Sequence, residues 1–205
     1  MAVSQQLPTT ADLLREVGSI GAGHAATALS VLTGSSVQMR MPQAENVPFA
    51  ALADVVGGPE CVIACVFVHL SGDLPGSMFV AQPLASARRL LASLLPDEPT
   101  EGDLSDLQKS GLEELANILA GAYLTALMDF TKLSVTRSVP VVAVDMAQAL
   151  LSVGVLLQER PGTDALVVSA SIERPSQQQD AHLILLPEPG AAIVLRDALL
   201  RRAGL

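Results

Sequence analysis

The 205-residue sequence predicts an α+β fold, internally duplicated and pseudo-two-fold, with a mostly antiparallel sheet covered by long helices. Three observations predict it. Apolar residues recur at helical spacing over two long stretches, Asp12 to Gly34 and about Leu104 to Lys132. The strand-like runs are joined by short turn-rich links, which suits antiparallel pairing rather than helical crossovers. Setting each residue against the one 98 positions later aligns Asp12–Pro42 with Ser110–Pro140 without a gap, and twelve of those 31 positions are identical.

The first helix begins near Thr10 or Asp12, behind a capping-type Thr or Asp, and closes at Gly34. Strands are predicted in SSVQMRMP, AALADVV, CVIACVFVHL and GSMFVAQ, followed by a helix in PLASARRLLASLL with Pro near its start. The acidic, Pro-bearing stretch PDEPTEGD, residues 96–103, reads as a solvated linker. A second long helix then spans about Leu104 to Lys132. Strands follow in SVTRSVPVVAV, LLSVGVLLQE, ALVVSASIER and AHLILLP, and GAAIVLRDALLRRAG forms the last helix. Residues 1–205 thus read as one domain made of two repeats, about 8–96 and 104–205.

Composition narrows the function classes. The chain is half apolar yet has one Tyr, four Phe and no Trp, so Leu, Val, Ala and Ile must build the core. A net charge of −9 without a Lys/Arg cluster argues against nucleic acid or an anionic membrane as a partner. The N-terminal stretch has neither a basic n-region nor a continuous h-region, and the apolar runs are broken short of a membrane span. A cytoplasmic protein is expected. Cys61 and Cys65 lie four apart along one predicted strand, which disfavours a disulfide; zinc would need more ligands, so they read as buried free thiols. His24, His69 and His182 share no metal-ligand spacing, and no metal site is expected. GSIGAG lies mid-helix and follows no strand, so it is not a phosphate cradle.

One constellation carries chemistry. Ser110, Glu114, Asn117 and Gly121 are spaced by four, three and four, which places them in one narrow sector of a helix. Leu112, Leu115, Leu119, Ala122, Ala126 and Phe130 populate roughly the opposite side. The first half carries Asp12, Glu16, Ser19 and Gly23 at the same spacing. The repeated pattern is [Asp/Ser]-x3-Glu-x2-[Asn/Ser]-x22-Pro, ending at Pro140 and Pro42.

This pattern, occurring twice, resembles the signature of the CheC/CheX/FliY family of chemotaxis phosphatases, in which the third position is Asn. LLREVGSIGAGHAATALSVLTG is also similar to the first helix of CheC-type members. Two copies per chain match the CheC type, whereas the CheX type carries one. FliY-like members add a C-terminal flagellar switch domain, which this chain is expected to lack.

The resemblance implies hydrolysis of the aspartyl phosphate of a CheY-like response regulator. That regulator already supplies Mg²⁺ and a Lys, so no cofactor is implied for this chain; the missing part is a water held in line with the scissile bond. Asn117 is implied to position the water and Glu114 to pair with the regulator's Lys. Gly121 would let the partner approach closely. Ser110 and Pro140, with Asp12, Pro42 and Gly23, are motif-supporting. Glu16 and Ser19 form a degenerate second site, because a Ser hydroxyl is shorter and lacks the planar amide. His24 stands where the family commonly has Asn and reads as a surface or partly buried histidine.

By the same resemblance the receptor deamidase CheD is a second partner, and a monomer is expected. The alternative is a non-catalytic adaptor that binds CheD, the phosphorylated regulator, or both. A flagellar switch role is a weaker third reading.

Overall fold

Two capping boxes start the long helices. Thr9 accepts the Asp12 N–H through its hydroxyl while the Asp12 carboxylate accepts the Thr9 N–H, opening α1 (Thr10–Thr33). Ser105 and Gln108 repeat the arrangement at α4 (Asp106–Thr131). Between them run β1 (Gln38–Pro48), a 3-10 turn (Phe49–Ala51) leading into the short α2 (Leu52–Val55), β2 (Val62–Gly72), β3 (Gly76–Pro83) and α3 (Leu84–Leu94). After α4 come β4 (Val135–Arg137), β5 (Val141–Met146), α5 (Ala147–Leu156), β6 (Asp164–Arg174), β7 (Gln177–Pro187) and α6 (Pro189–Arg202).

The computed structural model describes residues 9–34, 36–156, 164–174 and 177–204, with the backbone alone at 41–42, 154–156, 171, 173–174 and 177–180. Pro8, Ser35, Leu157 to Glu159 and Leu205, which the predicted segments reach, lie outside the described residues, as does the side chain of Pro42.

The helix ends differ in one respect. Gly34 closes α1 in the left-handed region at φ 61°, and Lys132, 98 positions later, closes α4 at φ 62°. A residue with a Cβ is strained there, and Gly is not. Lys132→Gly is expected to stabilise the fold by about 0.5–1 kcal/mol. An upward shift of the urea midpoint at unchanged slope would show it; an unchanged or lower midpoint would refute it.

The described strands form one antiparallel sheet in the order β1-β6-β7-β3-β2-β4, with β5 also paired to β2. The registers of the two halves correspond. Pro48 faces Asp164 as Met146 faces Val62, and Met39 faces Ile172 as Arg137 faces Leu70. β3 and β7 pair at the centre and join the halves. Each edge breaks at its proline: the β1–β6 register shifts between Arg40 and Gln43, and Pro140 separates β4 from β5. Proline has no N–H to give to a ladder, so such breaks fall on edge strands.

The inner strands alternate between two cores. Ala64, Val66, Val68, Met78, Val80, Val168, Ala170, Leu183 and Leu185 face the large core beneath the long helices. Ile63, Cys65, Phe79, Ala81, Val167, Ile184 and Leu186 face a smaller core on the opposite side. That second core corrects two expectations. AALADVV is the 3-10 turn and α2 rather than a strand, and the described part of LLSVGVLLQE belongs to α5. Leu52, Ala53 and Val56 are buried at helical spacing, as are Ala147 and Leu151, and they close the face that the long helices leave open. The sheet is therefore covered on both faces, by the long helices on one and by α2 and α5 on the other, rather than by the two long helices and shorter partners on one face as the sequence alone suggests. SVTRSVPVVAV is correspondingly two strands, split at Pro140.

Three smaller corrections follow. Cys65 is buried in β2, but Cys61, just before that strand, is half-buried. Glu98 of the predicted solvated linker accepts the Ser105 hydroxyl, Arg88 donates to the Thr100 carbonyl at 3.0 Å, and Gln108 donates to the Pro99 carbonyl at 2.7 Å. These bonds tie α3 to the start of α4. In α4 itself, Ala116, Ala120, Tyr123 and Leu127 are buried with Leu112, Leu115, Leu119 and Ala126, whereas Ala122 and Phe130 are only partly buried.

Candidate functional site

The ridge of α4 faces outward because its other sides are taken by the large core. Ser110 and Glu114 are exposed, and the side chain of neither makes a hydrogen bond among the described residues. Asn117 and Gly121 are half-buried, and the cover is Arg137 of β4. Its Nη1 donates to Asn117 Oδ1 at 2.5 Å, and its Nη2 lies 3.4 Å from where a Cβ on Gly121 would stand. The space that the resemblance assigns to an approaching partner at Gly121 thus holds this chain's own guanidinium. Arg137 forms no ion pair among the described residues.

The ridge of α1 is arranged differently. Ser19 is exposed, but its hydroxyl donates back to the Arg15 carbonyl at 3.0 Å within the same helix. Glu16 is exposed, Gly23 has open space around it, and His24 is exposed. At the strand position matching Arg137 stands Met39, which is buried. The first half therefore has neither the amide nor the guanidinium.

The motif-supporting positions also diverge. Asp12 belongs to the capping box and pairs with Arg15 at 3.2 Å; hydrogen bonds from Thr9, with a smaller contribution from Arg15, hold its carboxyl below the usual range. Ser110, its counterpart, caps nothing, because α4 starts two residues earlier in the repeat frame than α1 does. Pro42 and Pro140 mark the equivalent edge breaks described above.

Reasoning from the helix spacing alone missed Arg137. A signal was present, since the aligned pair Met39 and Arg137 exchanges a core residue for a charge three positions before the motif's proline. That it bends toward Asn117 rather than toward solvent is a tertiary fact.

Other chemistry is poorly served. The described residues hold no group of three or more His, Cys, Asp or Glu placed to bind a metal, and no described helix is long and apolar enough to cross a membrane. Burial pushes the Cys65 thiol up to about 12, which leaves it unreactive. A cavity of about 270 Å³ lined by Thr10, Asn46, Asp164 and Arg196 shares no residue with either ridge. The ridge of α4 is a convex helix surface that carries the Glu114 carboxylate, unpaired among the described residues, and one oriented amide, a shape that can enter another protein's cleft.

Comparison with known proteins points the same way. A family model described as chemotaxis phosphatase CheX matches residues 64–154. The CheY-P phosphatase CheC of Bacillus subtilis strain 168 is 43% identical over 183 residues, covering 86% of this chain and 87% of that one. In structure the chain is similar to Thermotoga maritima FliY, with a TM-score of 0.77 at 16% identity over 98% of this chain and 100% of that one. It is also similar to the FliM middle domain from H. pylori, with a TM-score of 0.66 at 12% identity over 98% and 99% of the two chains. Those two likenesses speak for the α+β fold, and the 43% identity speaks for the family. The chain belongs to the CheC/CheX family of chemotaxis phosphatases.

Proposed function

We propose that this protein hydrolyses the aspartyl phosphate of a CheY-like response regulator by docking the α4 ridge into the regulator's active site. The observation that carries the reading is the outward pair of Glu114 and Asn117 in a chain 43% identical to a CheY-P phosphatase. In this reading Glu114, exposed and unpaired among the described residues, meets a cation of the regulator and sets the register. Asn117 holds a water in line with the phosphorus. The water oxygen forms the new P–O bond as the bond to the regulator's aspartate breaks, releasing inorganic phosphate and a carboxylate, and the water's proton passes to solvent. A neutral amide suits this role because it can donate and accept without repelling the phosphoryl oxygens. Mg²⁺ is proposed to arrive with the regulator, whose phosphoryl oxygens it neutralises.

The Glu16–Ser19 ridge is assigned a weak or silent part, since Ser19 spends its hydroxyl on its own helix. The protein is proposed to act in the cytoplasm as a monomer, with CheD as a second partner.

Decay of a phosphorylated CheY-type regulator, followed with a substoichiometric amount of this protein, tests the reading. Faster decay is expected. Binding to the regulator or to CheD without faster decay would remove the enzyme and leave the adaptor.

A further inference from the structure

We infer that Arg137 is a positioning residue for the Asn117 amide, an inference that rests on the phosphatase reading above. The chemistry of the contact carries it. The guanidinium can only donate, so the amide makes this bond in one orientation alone, with Oδ1 toward Arg137. The flipped amide would set donor against donor. Arg137 therefore decides which end of the amide it meets, so that Oδ1 faces the guanidinium and the NH₂ faces away from it.

The surroundings favour this role over a structural one. Arg137 forms no ion pair among the described residues, so no carboxylate draws it elsewhere. Gly121, one turn beyond Asn117, leaves the room through which the guanidinium reaches the amide. The half that lacks the amide also lacks the arginine: Met39 fills that strand position and Ser19 turns back to Arg15. An amide held in one rotamer places its water without paying for side-chain ordering during the reaction, and small displacements of such a group are costly in rate. Polarisation of the Asn117 carbonyl by the cation also strengthens the amide N–H groups as donors.

The test combines kinetics with a readout that needs no turnover. Arg137→Met, Arg137→Lys, Asn117→Ala and the double change Asn117→Ala with Arg137→Met are compared in the full chain, using a CheY-type regulator phosphorylated by acetyl phosphate. Arg137→Met is expected to lower kcat about tenfold with KM within about twofold, because docking is left in place. Arg137→Lys, which keeps a donor but not the fork, is expected to restore part of the loss. In the Asn117→Ala background the Arg137→Met change should add nothing, as expected for a residue acting through Asn117.

In parallel, NMR of the Asn117 side chain should report one χ1 rotamer by three-bond couplings and one amide orientation by NOEs from its NH₂ protons in the unaltered protein, and averages of both in Arg137→Met. A raised KM with unchanged kcat, or an undiminished Arg137→Met effect without Asn117, would overturn the inference. So would an averaged Asn117 rotamer in the unaltered protein. If the unaltered protein lacks phosphatase activity, the proposed function fails, and the couplings still decide whether Arg137 holds the amide.

Discussion

Asn117→Ala is expected to lower turnover of the phosphorylated regulator by about a hundredfold or more while leaving KM nearly unchanged. The amide is the one carboxamide on the ridge of α4; the Ser110 hydroxyl lies seven residues away, about two helical turns, and the Glu114 carboxylate carries a charge that would repel the phosphoryl oxygens. Methyl truncation removes the anchor but not the helix, since Ala is the best helix former. Glu114→Ala should act on the other parameter. Losing a docking charge is expected to raise KM by about tenfold and to weaken the salt dependence of the reaction. Ser19→Ala should leave the rate within about twofold, because the hydroxyl it removes is bonded to its own helix. Retention of most activity in Asn117→Ala, or its loss in Ser19→Ala, would place the reaction elsewhere on the molecule.

The second large effect concerns the seam that holds the two halves together. Gly21→Val is expected to destabilise the fold by about 3 kcal/mol. A Cβ at Gly21 would stand 3.1 Å from Tyr123 Cα and 3.2 Å from the Ala122 carbonyl oxygen, both backbone atoms that no rotamer change can move. The two γ-methyls of Val would force α1 and α4 apart, with Ala25, Leu119 and Tyr123 losing contact in the large core. Gly23→Ala is the control. Nothing lies within 4 Å of a Cβ there, so the better helix former should stabilise the protein by about 0.5–1 kcal/mol. Urea titration of both variants measures the difference. Equal midpoints for Gly21→Val and the unaltered protein would mean that the helices do not meet at Gly21.

Much of the architecture is readable along the chain. The alternation of long helices with turn-linked strands announces the α+β class, and a capping-type Thr or Asp with Gly34 marks the ends of the first helix, because each depends on spacings of four residues or fewer. The outward ridge of Ser110, Glu114, Asn117 and Gly121 is equally a matter of helical period. The errors have a common cause. AALADVV and LLSVGVLLQE are short apolar runs, and such runs carry no period that separates a strand from a buried helix. What makes AALADVV and the described part of LLSVGVLLQE helical is the sheet face they cover, which is assembled from β2, β3, β6 and β7.

Arg137 shows the same boundary at the level of chemistry. Twenty residues separate it from Asn117, and no spacing rule connects a residue on an edge strand with one on a helix. Helix period alone places Glu114 and Asn117 on a common face, since i and i+3 are neighbours on any α-helix. The orientation of the Asn117 amide is set only once β4 pairs with β2 and brings a donor-only guanidinium against it, for a carboxamide has two near-equivalent orientations until a partner distinguishes its oxygen from its nitrogen.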